Sequence, residues 1–445
     1  MAGSHAKWLA KWATVVTLIL VFAAACGRLY LLDGWLRTVR IDGPSMAPAL
    51  CGTHLAVTCS DCRIHFRVDA EQLPKSGQLV CPNCGFREID AAKQPVQTGD
   101  TVLVDRWPLL TRMPQRWEVV AYDDPHASGA AVKRVAGLPG EKIAIREGDL
   151  YADGQIVRKS LAEFWQTAVL VHDDGYRPQS TADAQTRGFQ RWRPSAAASR
   201  WQSASGEYRF PPADPEAAGE PDWLEYVHWR CDASLIPRDE PAAVLDNDPH
   251  NQALPRRLNE VHDLVLSCEL ELAAGGQLTV AAQARGAWLQ VRLEGSRGTI
   301  SASQDDNLLA TSTSPRLLTG RPLKFAFGHL DAQLILAIDG DAVLMQPLDD
   351  LSPTADLATH AGPRLKIAAA GRAMVRHLRV WRDAYLLEPN GTDRPWTARQ
   401  PLAEGEIFVL GDNPPVSIDS RHWQPSGISR GRIRGMVIVP QRSAP

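Results

Sequence analysis

The sequence predicts a mainly β protein: an antiparallel β domain interrupted by insertions, a transmembrane helix at its N-terminus, and an inserted β-sandwich. Three observations predict this. Short Val- and Ile-rich runs are separated by Gly and Pro, one uncharged stretch lies near the N-terminus, and a central region alternates with period two. The chain has 445 residues, 44% hydrophobic and 22% charged, enough to bury a core. At roughly 100–200 residues per domain, it holds two to four folding units. Lys plus Arg is 48 against Asp plus Glu at 51, a net charge of -3. That balance excludes the basic surplus of a nucleic-acid protein and any long tail of one charge. Eight cysteines are too few for a disulfide scaffold, yet four of them fall within 26 residues.

Trp12–Leu32 is the first element. Its uncharged part, Trp12–Gly27, is 16 residues long before Arg28 interrupts it. A span needs about 20 residues, which this stretch reaches if Arg28 snorkels to the interface. Trp8, Trp12, Tyr30 and Trp35 fall near the two headgroup levels. Lys7 and Lys11 precede the span; Arg28, Arg37 and Arg40 follow it, so charge alone leaves the orientation open. A cleavable signal peptide ending near Ala23-Ala24-Ala25 is one alternative and a buried core helix another. The apolar residues run all round the helix, which favours a retained single-span anchor over the core helix.

A short strand with Val39 and Ile41 breaks at Gly43-Pro44 and presents Ser45 at a loop edge. Further strands are expected at Thr101–Asp105, Trp117–Tyr122, Ala131–Val135 and Lys142–Ile145. A hairpin turns through Asp153-Gly154. Late in the chain, Glu406–Leu410 and Ile433–Val439 resume the pattern. Between them the character changes. Trp165, Trp192, Trp201, Trp223 and Trp229 lie in polar, Pro-rich sequence. Then Leu264, Leu266, Cys268, Leu270 and Leu272 alternate with Val265, Ser267, Glu269 and Glu271. Runs at Gln277–Gln283, Trp288–Leu293, Lys324–Phe327, Gln333–Gly340 and Val375–Trp381 complete a β-sandwich pattern.

Three segments carry chemistry: Ser45–Leu50, Lys133–Glu141 and Gly411–Arg421. A serine on an exposed turn and a lysine in an apolar strand are the two parts of a Ser/Lys dyad. Lysine is a general base only when neutral, and its reference pKa of about 10.4 must fall by desolvation. Val132 and Val135 flank Lys133 and supply an apolar setting. A neutral Lys133 takes the Ser45 proton as the hydroxyl attacks a carbonyl. The Ser45 N–H is the donor for the oxyanion, and Ser417 is a candidate to orient the lysine. Taken singly, each is more often a turn serine, a solvated lysine or a surface ion pair.

Together these segments resemble the type I signal peptidases. Ser45-Met46-x-Pro48-x-Leu50 is similar to that family's nucleophile box and Thr101–Asp105 to its second strand box. Lys133-Arg134-Val135-x-Gly137-Leu138-Pro139-Gly140-Glu141 is similar to its lysine box. Gly411-Asp412-Asn413, Ser417, Asp419-Ser420-Arg421 and Trp423 are similar to its C-terminal box. The resemblance implies an antiparallel β catalytic domain of signal-peptidase type, with an apolar surface on the membrane. It implies Ser45 as nucleophile, Lys133 as general base and Ser417 as the lysine's hydrogen-bond partner. Met46, Gly43, Arg134, Asp412, Asp419, Ser420 and Arg421 are the implied pocket and supporting residues, Asp419 and Arg421 forming a salt bridge. The implied substrates are secretory preproteins with small residues at positions -1 and -3. The implied place is the cell (inner) membrane, single-pass, with the catalytic domain on the extracytoplasmic side. Gly43 departs from members with a serine there as a second oxyanion donor, and Pro44 contributes no N–H.

Cys59-x2-Cys62 and Cys81-x2-Cys84, 18 residues apart, have zinc-ribbon spacing. Four thiolates on two knuckles close a tetrahedral, structural Zn²⁺ site. Two disulfides are the alternative in an oxidising compartment, and His65 is near enough to substitute as a ligand. No cofactor is expected for catalysis.

The sequence thus divides into an anchor (1–35), three catalytic parts (36–57, 94–160 and 396–445), a zinc-ribbon-like insert (58–93) and a large insert (161–395). Pro322–Phe327 and Gln333–Gly340 of the large insert are similar to laminin-G or concanavalin-like jelly rolls, which take carbohydrate or protein ligands. A competing reading is therefore a membrane-tethered carbohydrate- or protein-binding module with an inactive peptidase core. No nucleic-acid partner is expected.

Overall fold

The computed structural model describes residues 2–31, 34–179, 190–204, 206–212, 221–232, 241–348 and 364–439. Helix α1, Ala2–Leu31, has 30 residues, about 45 Å at 1.5 Å per residue. Its window Lys11–Arg28 has a mean hydropathy of 1.5 and no residue buried against the rest of the protein. It is the one helix among the described residues long and apolar enough to cross a bilayer. The expected end of the span, Leu32, lies outside them.

After α1 the chain is β-rich and antiparallel. One sheet has seven strands in the order Leu36–Arg40, Thr101–Asp105, Ile433–Ile438, Val119–Asp123, Ala130–Gly137, Glu406–Leu410, Ile428–Ser429. Alternation separates its faces. Val102, Val104, Val119, Ala121, Val132 and Val437 pack with Ile41, Met46 and Leu50 on one side. Val120, Tyr122, Val135, Ile407 and Val409 pack with Trp423 on the other. Trp117 is not in the strand expected to begin with it; it sits at φ 70 and the strand starts at Val119. A smaller sheet joins Gln155–Ile156, Asp149–Ala152, Ile143–Arg146 and Trp396–Thr397. Asp153 and Gly154 turn its hairpin, both at positive φ, as a two-residue primed turn requires.

Two further sheets, of eight and seven strands, face each other as a β-sandwich. Long strands such as Leu264–Leu272, Leu323–Leu330 and Ala373–Arg382 lie in the first; Gln277–Ala284, Ala287–Glu294 and Leu365–Ala370 lie in the second. Their inward residues make one core that includes Leu266, Leu270, Leu278, Leu289, Phe325, Phe327, Ile367 and Val380. The alternation within Leu264–Leu272 holds only in its second half. Val265 and Ser267 are buried too. Helix α2, Leu161–Thr167, covers that outer face with Leu161, Phe164 and Trp165. Four of the five clustered tryptophans, Trp165, Trp192, Trp201 and Trp229, are core residues. Trp223 is half-buried, with Lys366 Nζ 4.4 Å from its ring centre.

The cysteine-rich segment folds on two small sheets. His54–Thr58 pairs with His65–Asp69 and Val96–Gln97, and Gln78–Leu79 pairs with Ile89–Asp90. Leu55, Val57, Phe66, Val68, Leu79 and Ile89 pack round the four cysteines.

Candidate active site

Gly43-Pro44 ends the first strand's extension and starts a single 3-10 turn, Pro44–Met46. Pro fits the first helical position because its missing N–H had no intrahelical partner to lose. Met46 points inward and is 1% exposed; it anchors the turn and leaves Ser45 half-buried. Lys133 comes from the middle of the strand Ala130–Gly137, opposite Val120. Its Nζ lies 2.6 Å from Ser45 Oγ. Burial pushes the Lys133 ammonium below the ordinary lysine range, against the pull of Asp419, Asp124 and Asp412 in the opposite direction. The Ser45 N–H donates to no backbone acceptor among the described residues.

The strand Glu406–Leu410 covers only Arg134–Gly137 of the lysine strand. Among the described residues, the stretch Ala130–Lys133 therefore keeps an unpaired edge on that side, and its Lys133 contacts Ser45. Gly411 follows the covering strand. A Cβ there would collide with both the Ser45 carbonyl and the Ser417 side chain, so only glycine allows this approach. Asn413 then grips the turn Pro44–Met46: its N–H donates to Ser45 O at 3.0 Å and its Nδ2 to Pro44 O at 3.0 Å.

The remaining expected residues surround this centre. Arg134 is buried and holds Asp412 with two bonds of 2.7 and 2.6 Å, while Nη1 donates to Trp117 O. Asp419 and Arg421 form a buried two-bond pair, 2.7 Å each, far from the surface ion pair that spacing alone would give. Arg421 holds the Asp419 carboxyl well below the usual range despite complete burial. Arg421 also donates to Leu387 O, Pro414 O and Ser417 O, tying the loop that carries Ser417. Ser420 Oγ accepts from Val409 N at the point where the strand register shifts. Ser417 is buried beside Asp419; its Oγ makes no hydrogen bond of normal geometry among the described residues. Gly43 adopts φ -97, and a Cβ on it would meet nothing within 4 Å.

A cleft of about 860 Å³ opens beside Pro48–Cys51, just after the turn Pro44–Met46. Pro48, Leu50, Val102 and Val119 line its near side. Ile64–Arg67 of the cysteine-rich segment and Asp248–His250 of the sandwich region line the far side. The inserted regions thus wall the cleft, which no short motif announces.

Cys59, Cys62, Cys81 and Cys84 bring four buried sulfurs within 4.8 Å of one another. The Sγ separations are 3.7 Å for Cys59–Cys84 and 3.6 Å for Cys62–Cys81. A tetrahedron with Zn–S bonds of about 2.3 Å has edges of about 3.8 Å, so the residues fit a closed metal site. Each knuckle turns at a positive φ one residue past its second cysteine, Arg63 at 69 and Gly85 at 74. His65 is exposed and bonds Thr58 at 2.7 Å, outside the sulfur cluster.

A β domain preceded by one helix long and apolar enough to cross a bilayer brings a serine and a buried lysine into contact. The chain belongs to the signal peptidase family, peptidase S26, whose model matches residues 9–197 and 374–441, more than half of the chain. No curated protein matches it in sequence. Among solved structures, a carbohydrate-binding module from Bacillus subtilis shares 6% identity at a TM-score of 0.26, over 42% of this chain and 93% of that one. A galectin from Caenorhabditis elegans shares 9% at a TM-score of 0.23, over 40% and 98% respectively. A beta-glucanase from Bacillus licheniformis shares 7% at 0.26, over 43% and 91%.

Proposed function

We propose that this protein is a membrane-bound serine endopeptidase that removes signal peptides from secreted preproteins, with Ser45 as nucleophile and Lys133 as general base. The 2.6 Å contact between a buried lysine and a half-buried serine carries the reading. The neutral amine takes the hydroxyl proton while Oγ attacks the scissile carbonyl. The Ser45 N–H receives the developing oxyanion. Collapse of that intermediate expels the new N-terminus, which takes the proton from Lys133, and leaves an acyl-enzyme on Ser45. Water, deprotonated by Lys133, then releases the signal peptide. Ser417 orients the lysine once Ser45 is acylated; its burial on the loop that Arg421 ties down beside Asp419 supports that role. The unpaired edge at Ala130–Lys133 suits an extended substrate added as a strand. Helix α1 anchors the chain in the inner membrane by one pass, with the cleft on the extracytoplasmic side. The four cysteines hold a structural Zn²⁺, and the sandwich takes a carbohydrate or protein ligand. The intact dyad favours a peptidase over an inactive core.

The test uses the full chain in detergent with a preprotein bearing Ala at -1 and -3. The wild type is expected to cleave, and Ser45→Ala and Lys133→Ala to lose at least about a thousandfold in kcat, as for dyad members acting as a unit. Cleavage that survives either substitution removes the mechanism. Elemental analysis of the same sample is expected to give one zinc per chain; no zinc, whether all eight cysteines titrate as thiols or only the four outside the cluster do, would remove the metal.

A further inference from the structure

We propose that Asn251, carried by the sandwich region, is a positioning residue for the nucleophile, and that Gln252 ties the same turn to the cysteine knuckle. The inference rests on the peptidase reading for its catalytic consequence and on geometry for the rest. Asn251 and Asn413 lie 162 residues apart in sequence and form a reciprocal amide pair. Asn251 Nδ2 donates to Asn413 Oδ1 at 2.6 Å, and Asn413 Nδ2 donates to Asn251 Oδ1 at 3.0 Å. The other Asn413 Nδ2 proton goes to Pro44 O, and its backbone N–H to Ser45 O. Asn413 therefore clamps the two peptide planes on either side of the Ser45 Cα. The first plane matters most. It contains both the Pro44 carbonyl and the Ser45 N–H, so holding one end aims the other at the oxyanion position.

Asn413 is 3% exposed. Without Asn251 its Oδ1 and one N–H would be buried and unpaired, which is unfavourable. Rotating the amide towards water relieves that cost and releases Pro44 O. The turn that supplies Asn251 is itself fixed on three sides. Asp248 Oδ1 accepts the His250 N–H at 2.8 Å and caps the turn. Arg382 donates to Asn247 O at 2.9 Å and holds it to the sandwich. Gln252 pairs both backbone groups of Val80, at 2.8 and 2.9 Å, just before Cys81. Disturbing the knuckle thus reaches Ser45 through one turn, Asn251 and Asn413.

The experiment compares wild type, Asn251→Ala and the milder Asn251→Asp, which keeps an acceptor for Asn413 Nδ2. Two quantities are read: kcat and KM on the preprotein, and amide exchange of the Asn413 N–H by mass spectrometry. Asn251→Ala is expected to lose about tenfold to a hundredfold in kcat at unchanged KM, a misplacement effect. Asn413 exchange is expected to speed about tenfold or more as the clamp opens. Asn251→Asp should fall between, and Asn251→Ala/Asn413→Ala should equal Asn413→Ala alone. Wild-type kcat in a folded Asn251 variant, a loss confined to KM, or unchanged exchange overturns the proposal. Should the wild type cleave nothing while exchange responds, the clamp stands and the peptidase reading falls.

Discussion

At the scale of single residues, the pH behaviour of Lys133 follows from its burial. Desolvation lowers its folded pKa from 10.5, while the unfolded chain keeps the ordinary value. Between the lowered value and 10.5 the unfolded state binds the extra proton, so stability rises with pH across that window. Below the lowered value both states are protonated and the dependence from this group ends. On the proposed mechanism the same deprotonation switches on the base, so kcat/KM is expected to rise through the same lowered pKa. Lys133→Met is expected to abolish activity and to remove the stability gain. Urea unfolding of both proteins at several pH values checks it, and parallel curves would mean the lysine is hydrated. The burial of Lys133 was legible in the sequence, because Val132 and Val135 beside a strand lysine already signal desolvation. The same holds for Ser45, set up by Gly43-Pro44. Asn251 was not legible: an asparagine after Asp-Pro-His reads as a turn residue, and only the folded chain brings it to Asn413.

At the scale of elements, the strands that the alternation marked are present within a few residues, whereas α2 was missed. Seven residues are too few for a helical period to stand out, yet Ser160-Leu-Ala-Glu163 carries a capping signature that could have found it. Ser160 Oγ accepts the Glu163 N–H at 3.3 Å and Glu163 accepts the Ser160 N–H at 2.7 Å. The helix then buries Phe164 and Trp165 over Val265 and Ala326. That cover also explains why alternation fails in the first half of Leu264–Leu272: the strand is packed on both faces. Gln166 of the same helix accepts from Arg134 at 3.1 Å, so α2 touches the residue beside Lys133. Ser160→Ala is expected to destabilise the protein by about 1 kcal/mol. A shift in the denaturation midpoint at constant slope measures it, and no shift would mean that packing alone holds the helix.

At the scale of the whole molecule, the sandwich and the peptidase sheets are joined through buried charge. Lys159, on the chain leaving the Asp149–Ile156 hairpin, donates to Asp331 at 2.8 Å and Asp383 at 2.7 Å. Both acceptors belong to the sandwich region and all three side chains are buried. The two carboxylates hold the Lys159 ammonium above its ordinary range in spite of burial. On the peptidase side, Asp149 takes Arg285 of the sandwich at 3.2 Å. Nothing in the sequence marked Lys159, because one lysine in Val-Arg-Lys-Ser looks like any solvated residue, and its partners lie 172 and 224 positions away. Removing the amine leaves two adjacent carboxylates buried without a counter-charge, so Lys159→Met is expected to cost about 3–5 kcal/mol. Replacing all three by Lys159→Met, Asp331→Asn and Asp383→Asn removes the charges together and should recover most of that loss. Because Arg382, next to Asp383, holds Asn247 of the turn bearing Asn251, the single variant should, on the proposed mechanism, lose activity at temperatures where the triple variant keeps it. Thermal unfolding and cleavage followed over one temperature series decide this. Equal stability of the single variant and the wild type would mean that hydrophobic packing, and not this buried ion cluster, fixes the sandwich beside the cleft.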